Sequence, residues 1–93
     1  MKSLEITYRD NDLRVDVALP PAASLYINNI QRADQASSEP VCRFKLSSSV
    51  QTDYEWHEFV EAEISFDQDR IKVIIAANNA VIAEEEFANV SST

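Results

Sequence analysis

Residues 13–19, Leu-Arg-Val-Asp-Val-Ala-Leu, alternate between apolar and other side chains, which is the pattern of a β-strand with one buried face. Residues 4–8 alternate in the same way, and the Asp-Asn-Asp sequence at 10–12 supplies turn residues between the two runs. Pro20-Pro21 ends the second run, because proline has no amide hydrogen to donate to a sheet. The first part of the chain is therefore predicted to form a β-hairpin.

The same alternation predicts further strands at residues 42–46 and 71–77. Asn78-Asn79 separates the second of these from a returning run at 81–87, and two asparagines suit a two-residue turn whose residues need positive φ. The Asp-Gln-Asp sequence at 67–69 indicates another turn. The segments predicted to be loops are the polar stretches 33–40 and 47–53.

Two segments fit either a strand or a helix. Residues 24–32 contain a helical stripe of apolar side chains, but their β-branched and aromatic residues favour a strand. Residues 54–66 place six apolar side chains on one strand face that Glu58 interrupts, whereas a helix over 53–64 would begin at a capping-box spacing. We expect strands in both segments, with an α+β fold containing a helix at 53–64 as the alternative.

Six to seven short strands separated by turns predict a mainly β fold, namely a small antiparallel sandwich of immunoglobulin-like architecture. The sequence lacks the paired cysteines of antibody-type domains, so the expected likeness is one of architecture. Residues 1–87 are predicted to form one domain, and residues 88–93 a frayed C-terminal tail. No internal repeat is expected from the sequence.

The chain contains no glycine, so phosphate-binding loops, dinucleotide-binding loops and nucleophile elbows cannot be present, and no cofactor is expected. A single cysteine, Cys42, cannot form an intrachain disulfide, and one cysteine with one histidine does not make a zinc site of the usual composition. The carboxylates at 67–69 and 84–86 could bind calcium weakly, but they lack the spacing of a calcium-binding loop. No metal site is therefore predicted.

Sixteen acidic residues against eight Lys and Arg give a formal net charge of −8. Residues 1–46 are balanced, whereas residues 47–93 hold all of the excess, in ten acids against two bases. Such a charge argues against direct nucleic-acid binding, and no apolar run approaches the length that membrane insertion needs. An acidic surface attracts a basic protein partner, although a charged face can also serve only to keep an edge strand solvated.

Trp56 and Phe59 lie among these acids, where aromatic side chains either pack in the core or anchor a protein interface. The docking hypothesis assigns the partner-binding role to the aromatic and acidic residues of the second half. The predicted partner-binding residues are Glu55, Trp56, Glu58, Phe59, Glu61, Glu63, Glu84, Glu85 and Glu86.

His57 lies close to Glu55 and Glu58 in the sequence, and a histidine beside a carboxylate is able to transfer protons. No nucleophile with a base and an orienting group accompanies it. Cys42 alternates in phase with apolar residues and is expected to be buried. No catalytic residues and no enzymatic activity are therefore predicted.

These observations lead to the hypothesis of a non-enzymatic acidic protein-interaction module, with an inhibitor, immunity, chaperone-like or adaptor role, that docks a basic protein surface. The alternatives are a structural or assembly subunit that pairs, as a homodimer for example, through an exposed edge strand, and an inhibitor that mimics nucleic acid. A cytoplasmic location is expected from the lone cysteine and the absence of a signal-like N-terminus, with a mature periplasmic or secreted protein as the alternative.

Overall fold

Eight β-strands form two four-stranded antiparallel sheets in the computed structural model, which describes residues 2–53 and 56–88. In each sheet every strand pairs with its neighbours in the sequence, so both sheets are meanders. The first sheet consists of β1 (Lys2–Tyr8), β2 (Asn11–Ala18), β3 (Ala22–Ile27) and β4 (Ile30–Ala36). The second sheet consists of β5 (Cys42–Asp53), β6 (Trp56–Phe66), β7 (Arg70–Ala77) and β8 (Ala80–Ala88).

The core lies between the two sheets and is built by alternation along the strands. On β2, β3, β6 and β7 every second side chain is buried, and the side chains between them face outward. The largest fully buried side chains come from both sheets, so neither sheet has a core of its own. They are Leu13, Val15, Val17, Leu25, Ile27, Val60, Ile64, Phe66, Val73 and Ile75.

The two sheets repeat the same local design, contrary to the expectation of no internal repeat. Asn28-Asn29 joins β3 to β4, and Asn78-Asn79 joins β7 to β8, and all four residues have positive φ. In both sheets the strand register shifts between the third and the second residue before the Asn-Asn turn. The turn and the bulge therefore occupy equivalent positions in the two halves of the chain.

The mainly β prediction is confirmed, and the helix considered at 53–64 is absent, since residues 56–66 form β6. The immunoglobulin-like architecture and the count of six to seven strands are not confirmed. Eight strands are present, and their consecutive pairing differs from the Greek-key connections of immunoglobulin domains. The two predicted loops were largely wrong, because β4 extends to Ala36 and β5 continues through residues 47–53.

Several residue-level expectations change at the ends of strands. Leu19, placed in the buried run, lies beyond the end of β2 and is 50% exposed. Cys42 is only half-buried, at the start of β5. Ala88 belongs to β8 rather than to a frayed tail, and residues 89–93 lie outside the described residues. Within residues 2–53 and 56–88, no helix is long and apolar enough to cross a membrane.

Candidate functional site

One end of the sandwich, which we call the turn end, carries the two-residue turns. Among the described residues at this end, six have positive φ, namely Arg9, Asp10, Asn28, Asn29, Asn78 and Asn79. Five of these six are Asn or Asp, which tolerate this left-handed backbone better than most residues and so allow a chain without glycine to make such turns. The fourth connection at this end, between β5 and β6, contains residues 54 and 55, which lie outside the described residues.

The first asparagine of each Asn-Asn turn makes the same three hydrogen bonds. The Asn28 amide donates to the Asp12 carbonyl at 2.8 Å, and the Asn28 Oδ1 accepts from the Asp12 amide at 2.8 Å. Asn78 repeats this exchange with Phe59, at 2.9 and 3.2 Å. The side-chain Nδ2 then donates to the preceding residue of the neighbouring strand, Asn11 in the first sheet.

In the second sheet that preceding residue is Glu58, whose carboxylate joins the two sheets. Asn78 Nδ2 donates to Glu58 Oε1 at 2.9 Å, and the Tyr8 hydroxyl of the first sheet donates to the same oxygen at 2.6 Å. Arg9 Nε lies 3.1 Å from Glu58 Oε2 and donates to the Tyr8 oxygen at 3.3 Å. Glu58 is only 4% exposed, so it acts as a buried carboxylate that holds the two sheets together.

The surroundings of Arg9 keep its guanidinium charged. The hydrogen bond to Tyr8 and the negative charge of Glu58 raise the pKa of Arg9 above its ordinary value. The Arg9 side chain is largely exposed, so its charge stays in contact with water while it neutralises Glu58 from the solvent side.

The β5–β6 hairpin extends beyond the turn end of the other hairpins. In the first sheet the chain turns immediately after the Tyr8–Asn11 pair. The equivalent pair in the second sheet is Val50–Glu58, and there the hairpin continues through Gln51–His57 to Asp53–Trp56. We call residues 51–57 the hairpin tip. Trp56 in this tip is 62% exposed, which makes it a large aromatic side chain presented to solvent.

The outer face of the second sheet, which points away from the core, is charged in columns that alternate strand by strand. Two cations on β5 are followed by two carboxylates on β6, two cations on β7 and two carboxylates on β8. In that order they are Arg43 and Lys45, Glu61 and Glu63, Arg70 and Lys72, and Glu84 and Glu86. Cross-strand ion pairs join Lys45 to Glu61 at 3.9 Å and Lys72 to Glu84 at 3.0 Å. This face is therefore balanced in charge.

The acidic excess of residues 47–93 therefore does not lie on the outer face of the second sheet. Because Arg43 and Lys45 belong to β5, a division of the chain at residue 46 separates these cations from the carboxylates they face. The remaining carboxylates of the second sheet belong to its turns, its edge, its hairpin tip and the buried position 58. Among the described residues they are Asp53, Glu58, Asp67, Asp69 and Glu85, and Glu55 lies outside the described residues.

The structure does not bring the predicted partner-binding residues onto one surface. Phe59, Glu61, Glu63, Glu84 and Glu86 share the outer face. Trp56 projects from the opposite face of β6, and Glu58 is buried. Glu85 lies on the core-facing side of the β8 edge, opposite Val73. Glu55 lies outside the described residues. Burial therefore removes Glu58 from any docking surface.

The proton-transfer pairing considered for His57 is not formed with Glu58. The two residues are consecutive on β6, so their side chains project from opposite faces, with His57 exposed and Glu58 buried. In the described part of the chain, no group of three or more His, Cys, Asp or Glu side chains is placed to hold a metal ion.

Sequence reasoning missed the partners of Glu58, namely Tyr8, Arg9 and Asn78. The signal for them was the interruption of the apolar face of β6 by Glu58, because a carboxylate on a buried face needs hydrogen-bond donors. The positions of those donors depend on how the two sheets stack, which no local pattern encodes. Comparison of the chain with protein-family models, curated proteins and solved structures finds no match.

Proposed function

We propose that this chain is a non-enzymatic protein-interaction module that uses its hairpin tip to dock on a basic protein. The observation that carries the proposal is Trp56, which is 62% exposed on a hairpin extension that the first sheet lacks. Tryptophan is among the residues that contribute most binding energy at protein interfaces. Insertions that interrupt a repeated design are commonly where such proteins bind.

The charge of the hairpin tip supports a basic partner. Residues 51–57 contain two carboxylates, at Asp53 and Glu55, and no lysine or arginine. The whole chain carries a net charge of −8, which attracts a positively charged partner over several ångströms before contact. Apolar anchoring by Trp56 and long-range attraction by the carboxylates then act on the same partner.

The base of the hairpin tip is held rigidly. Glu58 lies two residues from Trp56 on β6, and its hydrogen bonds to Tyr8 and Asn78 fix β6 against the first sheet and the β7–β8 turn. A rigid base reduces the conformational entropy that the tip loses on binding. The buried carboxylate therefore supports docking by positioning the tip and makes no direct contact with the partner.

The test uses the full chain as bait for host proteins, beside two variants. Trp56→Ala removes the proposed anchor, and Ile30→Ala removes another large apolar side chain, 59% exposed at the turn end of the first sheet. We expect Trp56→Ala to weaken capture of a basic protein at least about tenfold, Ile30→Ala to leave it unchanged, and added salt to slow association. Equal capture by all three baits, or capture insensitive to salt, contradicts the proposal.

One observation favours assembly through an edge strand as a second candidate. β5 is the longest strand, lies at the edge of its sheet and keeps a regular register from Cys42 to Gln51. Such an edge can accept an added strand from a partner or from a second copy of the chain. Backbone hydrogen bonds are less sensitive to salt than charge attraction, so binding that persists in high salt and survives Trp56→Ala identifies this alternative.

Mimicry of nucleic acid has less support, because the carboxylates of the outer face alternate with cations instead of forming a continuous acidic row. The inhibitor, immunity, chaperone-like and adaptor roles all use a docking surface of the kind proposed, and the identity of the captured protein distinguishes them. The single cysteine suits a reducing compartment, so we place this interaction in the cytoplasm.

A further inference from the structure

A cleft of about 440 Å³ opens at the end of the second sheet opposite the hairpin tip. Three of the four cations of this sheet line it, namely Arg43, Arg70 and Lys72. Ser65 and two carboxylates, Asp67 and Glu86, also line it. Three cations therefore lie close together in a chain whose net charge is −8.

The strand register shows how the cleft is built. Arg43 pairs with Ser65 on β6, and Ser65 pairs with Lys72 on β7, so the three residues form one row across the outer face. Adjacent strands lie about 4.8 Å apart, which separates the backbones of Arg43 and Lys72 by about 10 Å. Both side chains are long enough to reach a small ligand above Ser65.

Ser65 occupies an outward position of β6 that has a cation on both sides. Glu63 pairs with Lys45 and Ile74, and Glu61 pairs with Ser47 and Ala76, so neither of these outward carboxylates lies between two cations. At the next outward position the side chain is the hydroxyl of Ser65, flanked by Arg43 and Lys72. An oxyanion bound there would lie between two cations, in a row to which β6 contributes no carboxylate.

The ion pairs already present at the cleft are of a kind that a ligand can replace. Arg70 lies 3.9 Å from Asp69 and 3.6 Å from Glu86, at side-chain exposures of 49% or more. Among the described residues, Arg43 has no carboxylate oxygen within 4.0 Å. Exposed ion pairs contribute little stability, so their exchange for a ligand is easily reversed.

Lys72 carries a charge that Glu84 stabilises and that a bound anion would share with Glu84. Its ammonium donates a hydrogen bond to Glu84 at 3.0 Å, and that bond together with the charge of Glu84 raises the pKa of Lys72 above its ordinary value. The ammonium is therefore fully protonated at neutral pH.

A second cleft of about 410 Å³, on the first sheet, provides a contrast. Its only cation among the lining residues, Arg14, stacks on the Tyr26 ring at 4.2 Å and lies 3.3 Å from Asp16. Glu5 and Asp12 add two carboxylates to its wall. This cleft offers an anion one cation against two carboxylates, whereas the cleft at Ser65 offers three cations against two carboxylates, so similar volume does not imply the same ligand.

We propose that the cleft at Ser65 binds a phosphate-class oxyanion, either free phosphate or the phosphoryl group of a larger ligand. The Arg43 and Arg70 guanidinium groups and the Lys72 ammonium donate charge-assisted hydrogen bonds, and the Ser65 hydroxyl donates from below. Glu86 competes for Arg70 when the ligand is absent. The site lies at the opposite end of the sheet from the hairpin tip, so this proposal and the proposed docking function can be tested independently.

The experiment titrates inorganic phosphate into the full chain at constant ionic strength and follows backbone NMR shifts, with sodium chloride as the reference titration. We expect saturable shifts centred on residues 43, 65 and 72 with phosphate, and none with chloride. Arg43→Gln should weaken binding about tenfold or more, since it removes a charged donor. Lys45→Gln, on the same strand but outside the cleft, is the matched control and should leave affinity unchanged.

Two further variants test the geometry directly. Glu86→Gln removes the competing carboxylate and should tighten phosphate binding several-fold. Ser65→Glu supplies a built-in carboxylate at the proposed ligand position and should abolish phosphate binding while the protein stays folded by circular dichroism. A titration with phosphoserine distinguishes the two sources of the phosphoryl group. Tighter binding of phosphoserine than of inorganic phosphate indicates a phosphorylated ligand, and weaker binding indicates free phosphate. Equal shifts with chloride, or unchanged affinity in Arg43→Gln and Ser65→Glu, would overturn the proposal.

Discussion

The two sheets share their turns and bulges but differ in the hairpin that joins their first and second strands. In the first sheet, Arg9-Asp10 closes this hairpin at the level of the other turns, whereas in the second sheet residues 51–57 carry it further. The shared features are those that a four-stranded meander needs in order to fold. The differing features are not required by the meander, so they identify the parts of the chain where function is to be sought.

A second difference lies just below the hairpins. The equivalent positions 11 and 58 hold an amide in the first sheet and a carboxylate in the second, and each accepts a hydrogen bond from the asparagine of its Asn-Asn turn. The carboxylate also receives donors from the opposite sheet, Tyr8 and Arg9. The carboxylate at position 58 therefore links the two sheets in addition to accepting the hydrogen bond that both positions accept.

The largest expected effect tests whether the two sheets share one core. Leu25 and Ile75 hold equivalent buried positions, three residues before each Asn-Asn turn. We expect Leu25→Ala and Ile75→Ala each to lower the free energy of unfolding by about 2–5 kcal/mol, and calorimetry to show one cooperative transition in both variants. Separate transitions for the two sheets would show that they are independent units and would break the comparison.

The next effect concerns the carboxylate link. Glu58→Ala removes the acceptor of Tyr8 and Asn78 and the ionic partner of Arg9, and should cost about 1.5–3 kcal/mol in urea unfolding. Asn11→Ala removes the neutral equivalent and should cost about 0.5–1.5 kcal/mol. Tyr8→Phe serves as a control, because it removes one donor to Glu58 and leaves the ring in place. Equal losses for Glu58→Ala and Asn11→Ala would mean that the link contributes nothing beyond a local contact.

The repeated design also shows what could be predicted from the sequence. Asn78-Asn79 was correctly predicted as a turn because apolar strands flank it on both sides. The identical pair at 28–29 was missed because β4, an edge strand exposed on both faces, has almost no apolar alternation to mark it. The same physical cause hid residues 47–53, where three consecutive serines form part of the edge strand β5.

The candidate site was predictable only in part. The outward Phe59, Glu61 and Glu63 lie where a strand at 54–66 would place them, whereas that strand puts Trp56 on the apolar face, so its 62% exposure was not predicted. The neutralisation of the acidic residues was not predictable, because Arg43 and Lys45 reach them only through the pairing of β5 with β6. A count of charges along the sequence gives only the composition, whereas the net charge of a sheet face depends on which residues the strand register places side by side.

A smaller effect tests the equivalence of the two Asn-Asn turns. Asn29 and Asn79 are the second residues of their turns and have φ of 67° and 68°. Alanine carries a steric penalty in this region that asparagine partly avoids, so Asn29→Ala and Asn79→Ala should each lower the free energy of unfolding by about 1 kcal/mol. Asn79→Gly is the control and should stay within about 1 kcal/mol of the parent. Clearly unequal losses in the free energy of unfolding would show that the two turns share a backbone conformation but contribute differently to stability.

The smallest effect separates the two kinds of carboxylate on β8. Glu84 on the outer face pairs with Lys72 at half-exposed side chains, so Glu84→Gln should lower stability by no more than about 1 kcal/mol, and less as salt is added. Glu85 lies on the core-facing side of the edge, opposite Val73, where a charge discourages pairing with another chain. Glu85→Gln should therefore leave the thermal midpoint unchanged or slightly higher and should increase self-association in sedimentation velocity. If Glu84→Gln associates and Glu85→Gln stays monomeric, the edge is protected by the outer charge columns and the core-facing carboxylate has no such role.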